Sequence, residues 1–391
     1  MKILVLSFYF RPDLSAGSFR SMALVRALAE LAPDAEIKVI TTMPNRYHSF
    51  VVDATEYEVV DGIAITRIAL PLHKSGMLDQ IKAFLYFARG VLKEVRNYEY
   101  DLIFATSSRL MTAVLGAWVS RRKACPLYLD VRDIFVDTIN DVLPQIFVWP
   151  NRFFFSLLER WTLAQATSVN LVSEGFRDYF VSRYPQKKLT FFTNGIDDEF
   201  LTFAPTVMST VKTTPIFKVL YAGNLGEGQG LHSILPELAK RTMGRLHFTV
   251  YGDGGRKSLL LERLLELQIT NVEVKPPVSR GKLIEAYKEA DVLFLHLANY
   301  NAFTKVLPSK IFEYAAMGKP IWAGVPGFSA EFVRSEIANA SVFFPGDVDG
   351  AMQALDQLVI QDIHRAEFIM HYSRAAICRA MAKDILSISR A

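Results

Sequence analysis

Lys305-Val-Leu-Pro-Ser-Lys310-Ile-Phe-Glu313-Tyr-Ala-Ala-Met-Gly318-Lys-Pro320 is the stretch whose reading decides the fold. Pro308 turns the chain, Ser309 opens an amphipathic helix, and Gly318 stops it before an apolar run that starts at Pro320. A helix N-terminus presents unpaired N–H groups and a partial positive charge, so it favours an anion. Lys310 adds a full positive charge there. Glu313 falls on nearly the same face, because residues three apart are neighbours on a helix. A cation at the mouth and a carboxylate one turn inside suit a nucleotide sugar: phosphate for Lys310 and Ser309, ribose hydroxyls for Glu313. The same residues also fit a capped surface helix with one charge pair.

Working outward, Phe217–Tyr221, His247–Tyr251, Val272–Lys275, Val292–His296 and Pro320–Gly324 read as short strands with helices between them. The first is followed by a glycine-rich loop, Gly223-Asn224-Leu-Gly226-Glu227-Gly228-Gln229-Gly230, and the second by Gly252-Asp-Gly-Gly255. Such loops let backbone N–H groups approach a phosphate. Gly223–Gly230 has neither the three-glycine dinucleotide spacing nor the Lys-Ser/Thr of a P-loop. A plain strand-to-helix turn is the other reading. Asn224 and Gln229 would be neutral donors there, and Glu227 sits awkwardly near a diphosphate unless it faces away.

The first half repeats the alternation. Residues 2–8, Ile37–Thr41, Asp101–Ser108, Leu127–Val131 and Ser168–Val172 read as strands, with helices over Ser18–Ala32 and around Ala113–Arg122. The fold class is therefore α/β, with two doubly wound, Rossmann-like domains facing a cleft. The expected division is 1–205, 206–370 and a C-terminal helix, 371–391, packing back across the hinge. The Ser/Thr/Pro-rich stretch 205–215 is the linker. Ligands of such sheets bind outside the strands' carboxyl ends. One such end carries Asp130-Val-Arg132-Asp133-Ile-Phe-Val-Asp137. Asp133 or Asp137 can serve as a general base if burial raises its pKa. An Arg132 ion pair with a helix cap is the alternative.

A net charge of +4 over 391 residues argues against a dedicated nucleic-acid binder. Two cysteines, Cys125 and Cys378, make no disulfide framework and suit a reducing compartment. The seven histidines show no metal-ligand spacing. The opening apolar run is too short for a signal peptide, and no stretch reaches the roughly 18 apolar residues of a membrane span. Two stretches, Leu70–Tyr98 and Phe147–Trp161, mix aromatic and basic residues, among them Lys74, Lys82, Arg89, Arg152 and Trp161. They suit a membrane surface or a lipid-linked substrate. They also suit internal helices with core aromatics.

Tyr221-Ala-Gly223-Asn224-Leu-Gly226, Tyr251-Gly-Asp-Gly254, Ala290-Asp-Val-Leu-Phe-Leu295 and Pro308-Ser-Lys310-Ile-Phe-Glu313-Tyr, in that order, resemble the family 4 glycosyltransferases with the two-domain GT-B fold. The Pro-Ser-Lys form, with Arg132-Asp133 upstream, is similar to bacterial transferases that build O-antigen or capsule, including N-acetylfucosamine-type enzymes. The resemblance implies a hexosyl or N-acetylhexosaminyl transferase acting with retention and without metal. It implies a nucleotide-sugar donor, most often UDP-linked, and a polyprenyl-diphosphate-linked acceptor at the inner face of the cytoplasmic membrane. Diphosphate would meet Gly223, Asn224, Gly226, Gly252, Ser309 and Lys310. Glu313 would hold the ribose, the backbone at Val278 would face the base, and Gly17 would lie near phosphate and acceptor. Asp133, Lys310 and Arg132 are the candidate catalytic residues. There are departures: many members carry two glutamates eight positions apart, whereas here Lys305 stands at the first and only Glu313 remains, and Glu227 and Gln229 stand where many carry cations. Lys305 and Lys310 are expected to compensate. A non-catalytic sugar-nucleotide binder and a hydrolysing epimerase are the competing functions on this fold.

Overall fold

The computed structural model describes residues 1–13, 15–44, 54–71, 77–107, 110–134, 136, 145–201 and 216–388. The chain forms two compact units, Met1–Asn194 with Arg374–Ala391, and Gly195–Ser373. Among the described residues the first unit contains β1 (Lys2–Leu6), β2 (Glu36–Thr42), β3 (Tyr57–Val60), β4 (Ile63–Ile68), β5 (Leu102–Thr106), β6 (Leu127–Val131), β7 (Ser168–Leu171) and β8 (Leu189–Thr190). They form one sheet in the order β3-β4-β2-β1-β5-β6-β7-β8. The pairings are parallel except β3 with β4. β1, β5 and β6 are apolar along nearly their whole length because helices cover both sheet faces. The helix Ala16–Leu31 starts where the Ser15 hydroxyl accepts from the Ser18 N–H.

The second unit contains β9 (Phe217–Asn224), β10 (Leu246–Asp253), β11 (Val272–Lys275), β12 (Val292–His296), β13 (Ile321–Gly324) and β14 (Ala340–Phe343). Its sheet is wholly parallel, in the order β11-β10-β9-β12-β13-β14. Side chains alternate between two cores, one on each face. Leu220, Ala222, Leu293 and Leu295 pack with the helix Lys310–Ala316. Val219, Tyr221, Val292 and Phe294 pack with the helix Leu231–Arg241.

Several sequence expectations differ from this structure. The hairpin β3–β4 was not expected; Tyr57 and Val59 are exposed on an edge strand and leave no apolar run to read. β14 was likewise missed, being only partly buried. The stretch 365–391 holds two helices, Ala366–His371 and Arg374–Ile388. The second packs on the helix Ala16–Leu31 through Cys378, Met381 and Ile385, and so completes the first unit's core. The boundary expected at 205/206, with its linker, falls on residues outside those described. The compact units divide at Asn194/Gly195, because Ile196 and Phe200 are buried in the second unit's core.

Candidate functional site

In the second sheet the strand order reverses between β9 and β12. Crevices at such switch points are where ligands of doubly wound sheets bind. Gly223–Gly230 leaves β9 there, running through a short turn, Glu227–Gln229, to Gly230 at φ 60°. Two neighbouring loops hold it. After β10, the Leu225 N–H donates to the Asp253 carbonyl at 2.9 Å and the Arg256 N–H to the Leu225 carbonyl at 2.8 Å. Gly252 lies opposite Gly223, and any side chain on it would strike the Gly223 carbonyl oxygen. After β12, the Ala298 N–H donates to the Gly228 carbonyl at 2.9 Å. His296 Nδ1 lies 2.7 Å from the Gln229 carbonyl, and Nε2 accepts from the Gly346 N–H at 3.2 Å. Burial lowers the His296 pKa to about 4, so the ring bridges as a neutral imidazole.

Lys310 reaches back to this loop. Its ammonium sits where a side chain on Gly223 would lie, and 5.5 Å from the centre of the Tyr221 ring. The Tyr221 hydroxyl donates to the Asn224 carbonyl at 2.7 Å, which ties ring and loop together. The helix begins at Lys310 itself. Ser309 precedes it in a helical conformation, and its side chain makes no capping bond, contrary to a simple cap. Gly318, at φ 71°, ends the segment as expected. Lys305 ends a short turn, Asn301–Lys305, and is half-buried.

Glu313 is half-buried one turn into the helix, within the field of Arg280. Arg280 pairs with Asp197, and with Glu199 at 2.6 Å. Burial depresses its pKa, but Asp197 and then Glu313 outweigh that and raise it. Val278 is half-buried in the loop before the helix Arg280–Glu289. The sequence reading missed Arg280. Its position after Pro276-Pro277 at the start of a helix was the available signal.

The polar loop residues are not free donors. The Asn224 amide donates to Gln229 Oε1 at 2.8 Å. Glu227 is turned to Arg256 and to the Tyr300 hydroxyl, the latter at 2.9 Å. Burial raises its pKa, yet the bonds from Tyr300 and Arg256 prevail and hold it below the usual carboxylate range.

In the first unit, the expected partnership around Arg132 is different. Asp130 pairs with Arg20, whose Nε and Nη2 each donate at 3.0 Å, and accepts from Asn170 at 2.8 Å. Arg20 also donates to the Thr193 and Phe192 carbonyls at 2.6 and 2.7 Å. Asp130 is therefore a structural anion. Its partner, 110 residues away, left no mark in the local sequence. Asp133, after β6, borders a small cavity with Leu110, Leu129, Leu163 and Glu159. Burial there raises its pKa to about 6, with Arg132 opposing. Burial lowers the Arg132 pKa to about 10, and the Arg132 backbone N–H donates to the Ser107 hydroxyl at 2.9 Å. Gly17 is buried in the first turn of the helix Ala16–Leu31, not in the preceding loop. Asp137 lies outside the described residues.

Lys74 also lies outside them. Lys82 and Arg89 are exposed on the helix Met77–Val95 beside exposed Ile81, Leu85 and Tyr86. Arg152 is exposed on the helix Gln145–Gln165 beside Phe153, Phe154 and Leu157, with Trp161 half-buried. Tyr86, Phe153 and Phe154 are not core residues, whereas Phe87 on the same helix as Tyr86 is fully buried against Phe8. Among the described residues no helix is long and apolar enough to cross a membrane, and no cluster of His, Cys, Asp or Glu could hold a metal ion.

Two doubly wound units, the second with a lysine folded onto a glycine loop at its switch point, define the class of the two-domain GT-B enzymes. Residues 17–195 match the family described as glycosyl transferase 4-like domain, and residues 210–372 match glycosyl transferases group 1. The chain is a family 4 glycosyltransferase of the GT-B fold. It is 31% identical over 128 residues to a protein named for colanic acid biosynthesis, the glycosyl transferase WcaI of Escherichia coli (strain K12). That match spans 33% of this chain and 30% of the relative. Solved structures share the fold at low identity. Sucrose-phosphate synthase of Thermosynechococcus elongatus aligns with a TM-score of 0.68 at 15% identity, over 99% of this chain and 96% of the other. Anabaena HepE, solved with UDP and glucose, aligns at 0.60 and 17%, over 100% and 97%. WaaG, a glycosyltransferase involved in lipopolysaccharide biosynthesis, aligns at 0.65 and 12%, over 99% and 97%.

Proposed function

We propose that this glycosyltransferase moves a hexosyl or N-acetylhexosaminyl group from a UDP-sugar to a lipid-linked saccharide, with retention, in bacterial surface polysaccharide synthesis. The observation that carries the donor reading is the Lys310 ammonium lying against Gly223 in the switch-point loop. Loop N–H groups and Lys310 would take the diphosphate, Glu313 the ribose and the backbone at Val278 the base. The UDP in the HepE structure supports the choice of nucleotide. The names of WcaI and WaaG support the polysaccharide assignment.

In this scheme the bond from the anomeric carbon to the diphosphate breaks, placing positive charge on the sugar and negative charge on the leaving oxygen. Lys310, with Lys305 and the loop N–H groups, stabilises that oxygen without a metal. The acceptor hydroxyl attacks from the face the diphosphate leaves, and a phosphate oxygen takes its proton. Asp133, with Arg132 beside it, orients the hydroxyl. The exposed basic and aromatic residues on Met77–Val95 and Gln145–Gln165 hold the enzyme at the inner membrane surface.

The test is release of UDP from a panel of UDP-sugars, with and without a polyprenyl-diphosphate saccharide. Acceptor-dependent release supports the transferase. Acceptor-independent epimerisation, or binding without turnover, overturns it. Lys305, in place of the first of the two glutamates many members carry, is the feature that favours binding without turnover.

A further inference from the structure

Glu227 is the one acidic side chain in Gly223–Gly230, a loop that otherwise offers backbone N–H groups. Its partner, Arg256, belongs to the next loop, after β10. That loop is fixed against the first by the Arg256 N–H bond to Leu225, at 2.8 Å, and by the close approach of Gly252 to Gly223. Gly254 is fitted as tightly, since a side chain on it would meet the Leu225 backbone within 2.6 Å. A guanidinium is thus delivered to the Glu227 end of the loop, while the Lys310 ammonium stands at the Gly223 end.

We propose that Arg256 is a second diphosphate-binding cation, and that Glu227 is its resident counter-ion, exchanged for phosphate when the donor binds. The proposal rests on the reading that this loop and Lys310 hold a nucleoside diphosphate. The two side chains are 48% and 47% exposed, and a pair that exposed contributes only about 0–1 kcal/mol. It is therefore cheap to open. A diphosphate offers the planar guanidinium two parallel acceptors and more charge than one carboxylate does. Glu227 keeps the Tyr300 hydroxyl when Arg256 leaves, so its charge is not stranded. A resting carboxylate also shields the loop from adventitious anions and lets UDP depart after transfer. The neighbouring cation, Lys257, begins the helix Lys257–Glu266, stands 4.0 Å from Asp253 and needs no exchange of this kind.

A mere latch between the loops and a counter-ion exchange predict opposite signs. With a latch, losing either partner loosens the loop and weakens nucleotide binding. With exchange, Arg256→Gln weakens binding about tenfold, the loss of one charge-assisted bond, whereas Glu227→Gln tightens it several-fold. Calorimetric titration with UDP and with inorganic pyrophosphate, on wild type, Arg256→Gln, Arg256→Lys, Glu227→Gln and Lys310→Ala, reads these signs, and thermal melts check folding. Arg256→Lys is expected between wild type and Arg256→Gln. Weaker binding by Glu227→Gln, or unchanged binding by Arg256→Gln in a protein whose Lys310→Ala variant binds poorly, overturns the exchange and leaves the donor reading standing. Wild type that binds neither UDP nor pyrophosphate overturns both.

Discussion

At the carboxyl edge of the first sheet, the Arg20 and Asp130 side chains are 1% and 2% exposed, and backbone carbonyls and Asn170 take up their remaining bonds. At the same edge of the second sheet, Arg256 and Glu227 face solvent, and Lys310 rests on glycine and an aromatic ring. Both edges carry arginine–carboxylate pairs. Burial separates their uses. A buried, fully bonded pair has no capacity left for a ligand and strongly penalises loss of one partner. A half-exposed pair contributes little to folding and can be traded.

The comparison can be broken in four places. Arg20→Met strands the Asp130 charge and should remove about 3–5 kcal/mol of stability, read as a fall in the urea midpoint. An unchanged midpoint would mean that the first edge is as exchangeable as the second. Lys310→Ala should leave that midpoint in place but slow sugar transfer by about 3–4 kcal/mol, some hundred- to thousandfold. Turnover within a few-fold of wild type defeats the role given to Lys310.

Asp133 sharpens the contrast, because it is half-buried and is proposed to act in the reaction. Burial raises its folded pKa to about 6, above the unfolded value of about 3.9. The folded state therefore holds the extra proton between those values, and wild-type stability should fall as pH rises from about 4 through 6. Asp133→Asn should flatten that dependence and gain up to about 3 kcal/mol at neutral pH, while acceptor-dependent turnover drops. A pH-independent difference between the two proteins counts against it. The smallest effect is at the membrane. Lys82→Glu and Arg89→Glu should each weaken sedimentation with anionic vesicles by about 1 kcal/mol or more, with no change in UDP affinity. Equal binding by wild type and the double variant removes the surface from the scheme.

What the sequence disclosed follows from this physics. β6 and β12 were legible to the residue, since short apolar runs between loops are what a doubly covered parallel sheet requires; β11, the Val-Glu-Val-Lys edge strand, was legible from its place in the alternation of strands and helices. The edge strand β3 was not, because half of it faces water. Lys310 could be placed from its own neighbours, Pro308 and Gly318. Arg20 could not: it is one of several polar residues, with Ser18, Ser21, Arg26 and Glu30, in its helix, and nothing nearby announces a carboxylate on β6. Arg256 was overlooked for a related reason. Reading along Gly223–Gly230 finds an acid, whereas the compensating cation arrives laterally from the next strand's loop. Local patterns show turns and periodicity; they do not show what parallel strands set side by side.

The helix Arg374–Ile388 belongs to the unit that holds residues 1–194, although 195–373 intervene. On the ribosome, the unit that holds residues 1–194 would thus wait until 195–373 have been made before Cys378, Met381 and Ile385 cover the helix Ala16–Leu31. The second unit suffers no such delay. It is continuous, and its ends are tied where the Ile196 N–H donates to the Tyr372 carbonyl at 2.8 Å. Expressed as a fragment, 195–373 should fold unaided, whereas 1–194 should emerge sticky and in need of chaperones until the missing helix is supplied in trans.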